Sequence, residues 1–510
     1  MDKQIQKDKD MIKSFLKQIE QKEDVRKALS ELRAAIKESD KQKELRELIG
    51  EGDILLSLLS DDDPKVRKNA AALLGDLQLE NTAKALYEAY QVEDTLFVRS
   101  ILLKALGNTN AYPYLSELKE RYDALCAVMP QENEKKHIQE ELRALEKILR
   151  DEGKDSSHTF TGWNEKVTVI LTTNPDYREI TAKELQEKHL AYRIALSSIG
   201  VTAWIDDLRQ ITQIRTFREL LFPIKLGQTI TKKDKPELLG KALAASNLLP
   251  LLKKCHKEDE PFYFRMELRN GMDLEERSRY TKKAAFAIEE GSNRQLLNST
   301  EQYEFEIRIL ANKEGEFRAF LKMNTIPMDR FDYRKETIAA SIHPSSAAML
   351  MQLAKPYLKE RAQILDPCCG VGTMLAERHK LLPAREIYGI DIFGEAIEKA
   401  KVNCELAGMH VNFIHRDYLD FKHGYLFDEI IANMPVRGKK TKEEQDMFYE
   451  AFFRKSEELL APKGVLILYS NETGFIKKQL RLHPKLRLQQ EYIIRKKDQF
   501  ALYIIGLREK

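Results

Sequence analysis

The sequence is poor in the features that mark secreted, membrane-spanning or strongly charged proteins. It has five cysteines in 510 residues, an odd number at irregular spacing, so we predict neither a disulfide framework nor a metal site. The formal net charge is only +3, so any surface that binds nucleic acid must be local. No apolar run approaches membrane-spanning length, and the charged start "MDKQIQKDKDMIK" does not resemble a signal peptide. We therefore expect a globular, cytoplasmic protein with no membrane partner.

Glycine and proline are also sparse over residues 1–150, where apolar residues recur at helical spacing, as at Leu29, Leu32 and Ile36. Two segments in this region are alike: "DPKVRKNAAALLGDL" at Asp63–Leu77 and "TLFVRSILLKALGNT" at Thr95–Thr109. A fixed period on helix pairs is typical of a solenoid. The first segment resembles a HEAT repeat, and the alternative is an ordinary helical bundle with chance similarity. We predict an all-α domain of HEAT-like repeats over 1–150.

Arginines recur at equivalent positions of the two segments, as Arg67 and Arg99. We favour structural hydrogen bonds between repeats for them over an RNA-binding track. Whether the repeats bind a protein, an RNA or the rest of the chain is left open by the sequence.

Beyond a linker at "RDEGKDSSHTFTG" the composition changes. Strictly alternating segments such as "FYFRMELR" and "YEFEIRIL" predict strands, and "TAKELQEKHL" predicts a helix, which together indicate an α+β domain over 160–330. From residue 335 to 510 five short apolar strands alternate with helical segments, the pattern of a doubly wound, Rossmann-like α/β sheet. The last residues, "LQQEYIIRKKDQFALYIIGL", predict an antiparallel hairpin at the sheet edge.

The stretch "LDPCCGVGTMLAE" starts as a buried strand and ends as a helix. Gly370 and Gly372 remove β-carbons from this turn, so that backbone can approach a ligand. A dinucleotide fingerprint would place a third glycine where Leu375 stands, which argues against a pyrophosphate site. Asp366 would also be unfavourable beside phosphates and suits a cationic or hydrogen-bond-donating ligand. S-adenosylmethionine carries an ammonium and a sulfonium and no phosphate.

Acid or amide side chains end four successive predicted strands: Asp366, Asp391, Asp417 and Asn433. The carboxyl ends of parallel strands meet at one edge, where ligands bind. Asp391 can accept two ribose hydroxyls, and Asp417 can accept from an adenine amino group. The four together indicate a nucleoside-containing cofactor.

These residues carry a family resemblance. "DPCCGVGT" resembles the D-P-x-C-G-x-G-T motif of class I S-adenosylmethionine-dependent methyltransferases that act on RNA, and "IHPSSAAML" resembles the segment that covers the methionine end of the cofactor. "NMPVRG" stands where the family carries N-P-P-Y or N-L-P-F-G. The resemblance implies a cofactor site that comprises Asp366, Cys369, Gly370, Gly372, Thr373, Asp391, Asp417 and Asn433. For Cys369 we favour buried packing as its contribution.

Residues 160–330 look like a THUMP RNA-binding module, on the stretch "LLNSTEQYEFEIRI". Members of the family most like this sequence methylate the exocyclic amine of guanine in tRNA or rRNA. The resemblance therefore implies an RNA partner. The helical first third departs from the usual family layout and is an added module.

The amine of guanine is a poor nucleophile that must be aimed at the methyl group. The resemblance assigns this catalytic role to Asn433, Met434 and Pro435: the Asn433 side-chain oxygen and the Met434 carbonyl oxygen would each accept one N–H, and Pro435 fixes the backbone between them. No strong base is needed before attack, because the amine becomes acidic as it is methylated.

The aromatic residue expected at the fourth motif position is Val436. Phe448 or Tyr449 from the next helix is a candidate replacement for stacking on the base. Basic residues follow the motif, and Arg437, Lys439 and Lys440 are candidate phosphate contacts, with a solvated basic loop as the alternative. We favour a structural role for His343 at a helix start, since Pro344 follows it.

Two other functions remain open on this sequence. The same acceptor geometry would serve methylation of a protein glutamine amide, against which the THUMP resemblance argues. A non-catalytic RNA-binding scaffold with a methyltransferase fold is the second, and Val436 is the residue that keeps it open.

Overall fold

The chain divides into two compact units, Met1–Ser156 and Ser157–Lys510, in a computed structural model. The structure describes residues 2–36, 39–50, 52–127, 134–152, 158–259, 261–269, 271–438 and 441–508. No helix among these residues combines the length and the hydropathy needed to cross a membrane.

The first unit is all α-helical. Its helices are α1 Asp2–Glu20, α2 Val25–Ala35, α3 Ser39–Ile49, α4 Asp53–Ser57, α5 Pro64–Leu77, α6 Ala83–Val92, α7 Leu96–Gly107, α8 Leu115–Ala127 and α9 Lys135–Glu152. Asp63 accepts a hydrogen bond from the Lys65 amide at the start of α5, where Pro64 occupies the first turn. One apolar core, which includes Leu29, Leu74 and Leu106, runs through these helices.

The two repeat arginines make equivalent contacts, which confirms their structural role. Arg67 donates to both carboxylate oxygens of Glu93 at 2.8 Å and to the main-chain oxygen of Asp61 at 2.7 Å. Arg99 donates to the main-chain oxygen of Glu93 at 2.9 Å and to Glu141 at 3.1 Å. Each arginine thus ties its helix to the carbonyl six residues earlier and to a buried carboxylate, which is Glu93 directly after α6 for Arg67 and Glu141 on α9 for Arg99.

The second unit begins with an eight-stranded sheet and its helices. The strands are β1 Val167–Thr172, β2 Arg193–Ser197, β3 Gly200–Ile205, β4 Leu220–Ile224, β5 Phe262–Arg269, β6 Leu296–Asn298, β7 Phe305–Ala311 and β8 Phe317–Met323, in the spatial order β2-β3-β1-β4-β8-β7-β5-β6. The helices are α10 Arg178–Glu187, α11 Leu208–Thr212, α12 Pro236–Ala244, α13 Leu248–Cys255 and α14 Leu274–Gly291. The strands and the helix predicted for this α+β region are confirmed.

A seven-stranded sheet follows in the same unit. Its strands are β9 Gln363–Asp366, β10 Glu386–Asp391, β11 Asn412–His415, β12 Phe427–Asn433, β13 Leu460–Ser470, β14 Leu486–Arg495 and β15 Phe500–Leu507, in the order β11-β10-β9-β12-β13-β15-β14. The helices are α15 Pro344–Ala354, α16 Thr373–Leu381, α17 Gly394–Leu406, α18 Lys442–Leu459 and α19 Thr473–Leu482. The first five strands are parallel, and β14 and β15 pair antiparallel, so both the doubly wound sheet and the terminal hairpin are confirmed.

A buried ionic contact joins the two sheet regions. Arg215 donates to both oxygens of Glu377 at 2.8 and 2.7 Å, and the Tyr333 hydroxyl donates to the same carboxylate at 2.7 Å. Glu377 lies on α16, the helix that starts directly after the glycine turn, and its side chain is fully buried. The α+β region is therefore anchored on the helix that leads out of the predicted cofactor turn.

Candidate cofactor and acceptor site

The candidate site lies where the strand order of the second sheet reverses. From β9 the chain continues to β10 on one side, whereas β12 lies on the other. Asp366 ends β9, Asp391 ends β10 and Asn433 ends β12, so three of the predicted polar groups meet at the crevice where ligands bind in open parallel sheets. Asp417 lies beyond β11, two residues after that strand ends.

Asp366 is buried, with 1% of its surface exposed. One carboxylate oxygen accepts the Cys368 amide at 3.0 Å, and no other hydrogen bond reaches the side chain from the described residues. Burial, and then the nearby charge of Asp391, raise the pKa of Asp366 to about 8. The structure therefore holds an acidic group that a ligand cation or donor would stabilise in its charged form.

The two glycines of the turn have different functions. Gly370 has φ +52°, and a β-carbon there would meet only Ile338 Cδ1, at 3.9 Å, so this side of the turn is open to a ligand. Gly372 has φ +80°, and a β-carbon there would lie 2.9 Å from Cys404 Sγ. Gly372 is thus required for the packing of the turn on α17, and Gly370 leaves space beside it.

Asp391 joins the first two strand ends. One of its oxygens accepts the Gly370 amide at 2.8 Å and the other accepts the Phe393 amide at 3.0 Å. A carboxylate oxygen can accept two hydrogen bonds, so each retains capacity for a ribose hydroxyl.

The remaining predicted cofactor residues differ in accessibility. Asp417 is exposed and accepts the Leu419 amide at 2.9 Å, which caps a short helical turn. Thr373 is the first residue of α16, and its buried hydroxyl has no hydrogen-bond partner among the described residues. Cys369 is buried, its amide donates to the Ile390 oxygen at 2.9 Å, and burial raises the pKa of its thiol well above the usual value. These contacts agree with a packing role for Cys369.

Asn403 on α17 is a positioning residue that we did not predict from the sequence. Its side-chain amide accepts the Glu336 amide at 2.9 Å and donates to the Glu336 oxygen at 3.0 Å and to the Val371 oxygen at 3.1 Å. These hydrogen bonds therefore hold the loop that precedes α15 against the glycine turn. The sequence contained one sign of this role: Asn403 lies in the apolar stripe of its helix, on the same face as Ala396 and Ala400.

His343 caps α15, as predicted. Its Nδ1 accepts from the Ser345 amide at 3.3 Å and lies 2.8 Å from the Ser345 hydroxyl. Burial, and then the positive charges of Arg218 and Arg334, lower the pKa of His343 to about 4, so the ring is neutral at pH 7. A neutral ring can act as the acceptor at the helix start.

The "NMPV" segment follows β12 at the edge of the crevice. Asn433 is half-buried and its side chain makes no hydrogen bond to the described residues. Met434 is buried and its amide donates to the Tyr469 oxygen at 2.9 Å, whereas Pro435 is exposed. Val436 is 58% exposed. The Asn433 side-chain amide is therefore available to bind a ligand. The main chain beside it is held by the hydrogen bond from Met434 to Tyr469 of β13.

The candidate replacements for the missing aromatic fare differently. Tyr449 is fully buried and its hydroxyl lies 2.8 Å from Ser470 Oγ, so the suggestion that it stacks on the base is wrong. Phe448 is half-buried against Tyr449 and Phe452. Arg437 is exposed beside the motif, and Lys439 and Lys440 lie outside the described residues.

The acidic side chains and the open turn of the crevice fit S-adenosylmethionine. Asp366 is buried and pairs with no cation among the described residues, Asp391 has free acceptor capacity, and Gly370 leaves open space next to both. Two carboxylates in this position would repel a pyrophosphate but favour a positively charged amino-acid moiety and ribose hydroxyls.

Family models match both units. Residues 339–503 match the methyltransferase small domain, which covers the whole crevice, and residues 53–79 match the HEAT repeat, which covers α4 and α5. The HEAT-like prediction is confirmed for this segment.

Two curated relatives overlap with part of the chain. The ribosomal protein L11 methyltransferase of Aquifex aeolicus is 27% identical over 146 residues, which are 26% of this chain and 58% of the relative. The 23S rRNA (uracil(747)-C(5))-methyltransferase RlmC of Shewanella pealeana is 32% identical over 141 residues, 25% of this chain and 36% of the relative. The chain therefore spans less than two thirds of the length of either relative.

Solved structures share the fold of the second unit. TrmN from Thermus thermophilus aligns with a TM-score of 0.51 at 18% identity, over 67% of this chain and 99% of that chain. SMU.472, solved as a complex with SAH, aligns with a TM-score of 0.51 at 17% identity, over 68% of this chain and 100% of that chain. Residues 339–503 thus form a methyltransferase domain, and its cofactor is S-adenosylmethionine.

Proposed function

We propose that this protein methylates RNA, and that its target is the exocyclic amine of a guanine in tRNA or rRNA. The observation that carries the proposal is the "NMPV" segment: a half-buried asparagine with an uncommitted amide, followed by an exposed proline, beside the crevice that Asp366 and Asp391 line. RlmC is named for an rRNA substrate, and the fold of the second unit is shared with TrmN.

In this proposal the chain positions the amine and performs little acid–base chemistry. Asn433 Oδ1 accepts one N–H of the target amine and the Met434 carbonyl oxygen accepts the other, so the nitrogen lone pair is directed into the crevice. The Met434 amide is held by Tyr469, which keeps this acceptor in place. The cofactor supplies a methyl group activated by its sulfonium. Alignment of nucleophile and methyl group accounts for most of the rate.

The α+β region supplies the RNA contacts in the same proposal, in line with its resemblance to THUMP. A guanine inside a helix would first have to be unstacked to reach Asn433. Arg437, with Lys439 and Lys440 beyond it, would contact phosphates next to the target. These contacts position the RNA and carry no base specificity.

A protein amine or amide is the second candidate acceptor. The observation in its favour is that one relative is named for methylating a ribosomal protein. The exposed Val436, in place of a ring that would stack on a base, is neutral toward an amide side chain and unfavourable for guanine. The scaffold alternative predicts cofactor binding without methyl transfer.

The test is methyl transfer from labelled S-adenosylmethionine to unmodified bulk RNA and, separately, to ribosomal proteins. Wild-type protein is compared with Asn433→Ala and with Asn110→Ala, which makes the same change at an exposed position of the helical unit. We expect label in a methylguanosine that falls at least about 100-fold in Asn433→Ala, even at saturating cofactor. Label only in protein would replace the proposal with the second candidate, and no label despite cofactor binding would favour the scaffold.

A further inference from the structure

The eight-stranded sheet has two faces of different character. Each of the helices α10 to α14 contributes buried side chains to the large core on one face, with Val169, Phe222 and Ile307 among the strand residues there. On the opposite face a small apolar cluster of Ile170, Leu221 and Phe320 is flanked by Ile199 and Leu310. All five of these residues come from strands or from the β2–β3 turn, and none of the described helices contributes to the cluster. We call this second side the helix-free face.

Register places charged side chains around that cluster. Phe320 is opposite Arg308, Glu306 is opposite both Lys322 and Arg265, and Arg308 is opposite Glu267. Residues that are directly opposite on neighbouring strands project to the same face. The helix-free face is therefore lined by polar side chains of β5, β7 and β8.

Three carboxylates of this face are matched by cations. Arg308 is surrounded by Glu219, Glu306 and Glu267. It donates to Glu219 and, at 2.6 Å, to Glu306, and its guanidinium lies 3.3 Å from the Glu267 carboxylate. Further cations share these acids: Lys322 lies 3.2 Å from Glu306, and Arg269 lies 2.8 Å from Glu267. Three acids are thus neutralised by three bases.

Three arginines on the helix-free face remain without a carboxylate partner among the described residues: Arg193, Arg265 and Arg318. All three are exposed. Arg193 lies over the ring of Trp204, 4.4 Å from its centroid, and Arg265 lies 5.4 Å from the centroid of Tyr303. The face therefore carries uncompensated positive charge, and two of its three free guanidinium groups are paired with an aromatic ring.

The three arginines are spread across the sheet. Arg193 is on β2, Arg318 on β8 and Arg265 on β5, so six strand spacings separate the outermost two. At about 4.8 Å per spacing this is roughly 29 Å. That length suits several nucleotides of an extended strand, since single-strand binding sites cover about 4–16 nucleotides.

We infer that the helix-free face binds a single-stranded segment of the RNA substrate, an inference that rests on the function proposed above. Arg193, Arg318 and Arg265 contact phosphates spaced along the strand, with other nucleotides between them, and the Trp204 and Tyr303 rings lie beside the unstacked bases. An acidic protein would satisfy the charges but would leave the paired rings without a role, whereas bases stack on rings and guanidinium planes alike. A duplex is disfavoured because its bases are not accessible to those rings.

The experiment measures binding of a fluorescent 20-nucleotide single-stranded RNA, and of the duplex of that sequence, to the full-length protein between 50 and 200 mM salt. The test variant is Arg193→Gln/Arg265→Gln/Arg318→Gln. The matched control, Lys241→Gln/Arg279→Gln/Lys282→Gln, removes the same charge from exposed positions of α12 and α14 on the opposite side of the sheet. Arg318→Glu alone is a milder second variant, and thermal melting confirms that each variant is folded.

We expect the test variant to bind the single strand at least about ten-fold more weakly and to lower the salt slope by about 2, as three lost phosphate contacts require. The control should change affinity by less than about two-fold, and the duplex should bind more weakly than the single strand. Equal RNA affinity in the test variant, with label still transferred to RNA by the wild type, would overturn this inference and leave the proposed function intact. A wild type that neither binds nor methylates RNA removes the proposed function and this inference together.

Discussion

Asp391 Oδ2 accepts the backbone N–H of Gly370 at 2.8 Å, which joins the end of the second strand of the sheet to the turn after the first. The same carboxylate holds the Phe393 amide through its other oxygen. The acid expected to bind ribose therefore also shapes the glycine turn beside it. A substitution at Asp391 would therefore change both the expected ribose contact and the shape of the turn. The two effects can be separated only by comparing matched variants at neighbouring positions.

Gly372→Ala should destabilise the protein more than the left-handed backbone alone requires. A positive φ costs an alanine roughly 1–2 kcal/mol, and contact with Cys404 Sγ, 2.9 Å from the new β-carbon, adds about 1–3 kcal/mol of overpacking. Gly408→Ala is the control, since Gly408 has φ +71° and no atom within 4 Å of the added carbon. Chemical denaturation should give a larger loss for Gly372→Ala, and equal losses would mean that the contact with Cys404 relaxes freely.

Asn403→Ala should weaken S-adenosylmethionine binding without slowing the chemical step. The change releases the loop at Glu336 from the glycine turn at Val371, so part of the binding energy is spent on ordering that loop. We expect the cofactor KM to rise about ten-fold while kcat at saturating cofactor stays within about two-fold. Lys401→Ala, an exposed change on the same helix, should leave both unchanged. A fall in kcat with KM unchanged would contradict this assignment.

Asp366→Asn should have opposite effects on the free protein and on cofactor binding. The pKa of Asp366 in the folded protein is about 8, above the value near 4 of an unfolded carboxyl. The folded state thus holds the proton more tightly, so this group favours folding below about pH 4, and that contribution is lost as the pH rises through 8.

The asparagine variant carries no charge at any pH. Without cofactor it should therefore melt higher than the wild type at pH 9, and by a clearly smaller margin at pH 5, since most of the loss falls between these two pH values. With cofactor the order should reverse at pH 9, because the charged Asp366 favours a cationic ligand. Asp206→Asn, at an exposed acid of the α+β region, is the control. An identical difference in melting temperature at both pH values would show that Asp366 is ionised throughout.

Arg67→Ala should lower the stability of the helical unit by roughly 3 kcal/mol, because it leaves the Glu93 carboxylate, 3% exposed, without its bidentate partner. Burial by itself would raise the pKa of Glu93, but the hydrogen bonds from Arg67 and Thr95 and the charge of Arg67 together lower it. Lys84→Ala breaks an ion pair whose lysine is 79% exposed and should cost less than about 0.5 kcal/mol. The measurement is hydrogen exchange of the backbone amides of α5 and α7. Equal protection of these amides in the two variants would mean that the Arg67 ion pair contributes no more to stability than an exposed surface pair.

Much of the second unit could be predicted from short sequence patterns. Strict alternation in Phe262–Arg269 and the apolar run of Phe427–Asn433 each became the expected strand. The order of acids and glycines placed Asp366, Gly370 and Asp391 at one edge because parallel strands align their carboxyl ends. The assignment of individual residues to cofactor or base contacts stays a prediction.

Other features depend on residues far apart in the chain. Tyr449 was a reasonable candidate for stacking by sequence distance, but packing of α18 directs its ring into the core against Phe475. Asn403 is 32 residues from Val371, to which it donates, and its position in an apolar stripe was the only local sign. The pairing of Arg193 with Trp204 and of Arg265 with Tyr303 on one face follows from sheet register and strand order.

The amino-acid sequence by itself determined the kinds of elements, the helical repeat and the edge of the sheet at which polar groups collect. These follow from periodicities of two and 3.6 residues and from motifs within one strand and turn, where neighbours in sequence are neighbours in space. Only the tertiary structure decided which carboxyl group has a raised pKa, which loop is hydrogen-bonded to the turn and which arginines lack an acid among the residues that the structure describes. Those properties depend on desolvation and on charges brought together by folding, and neither is a property of a local stretch of chain.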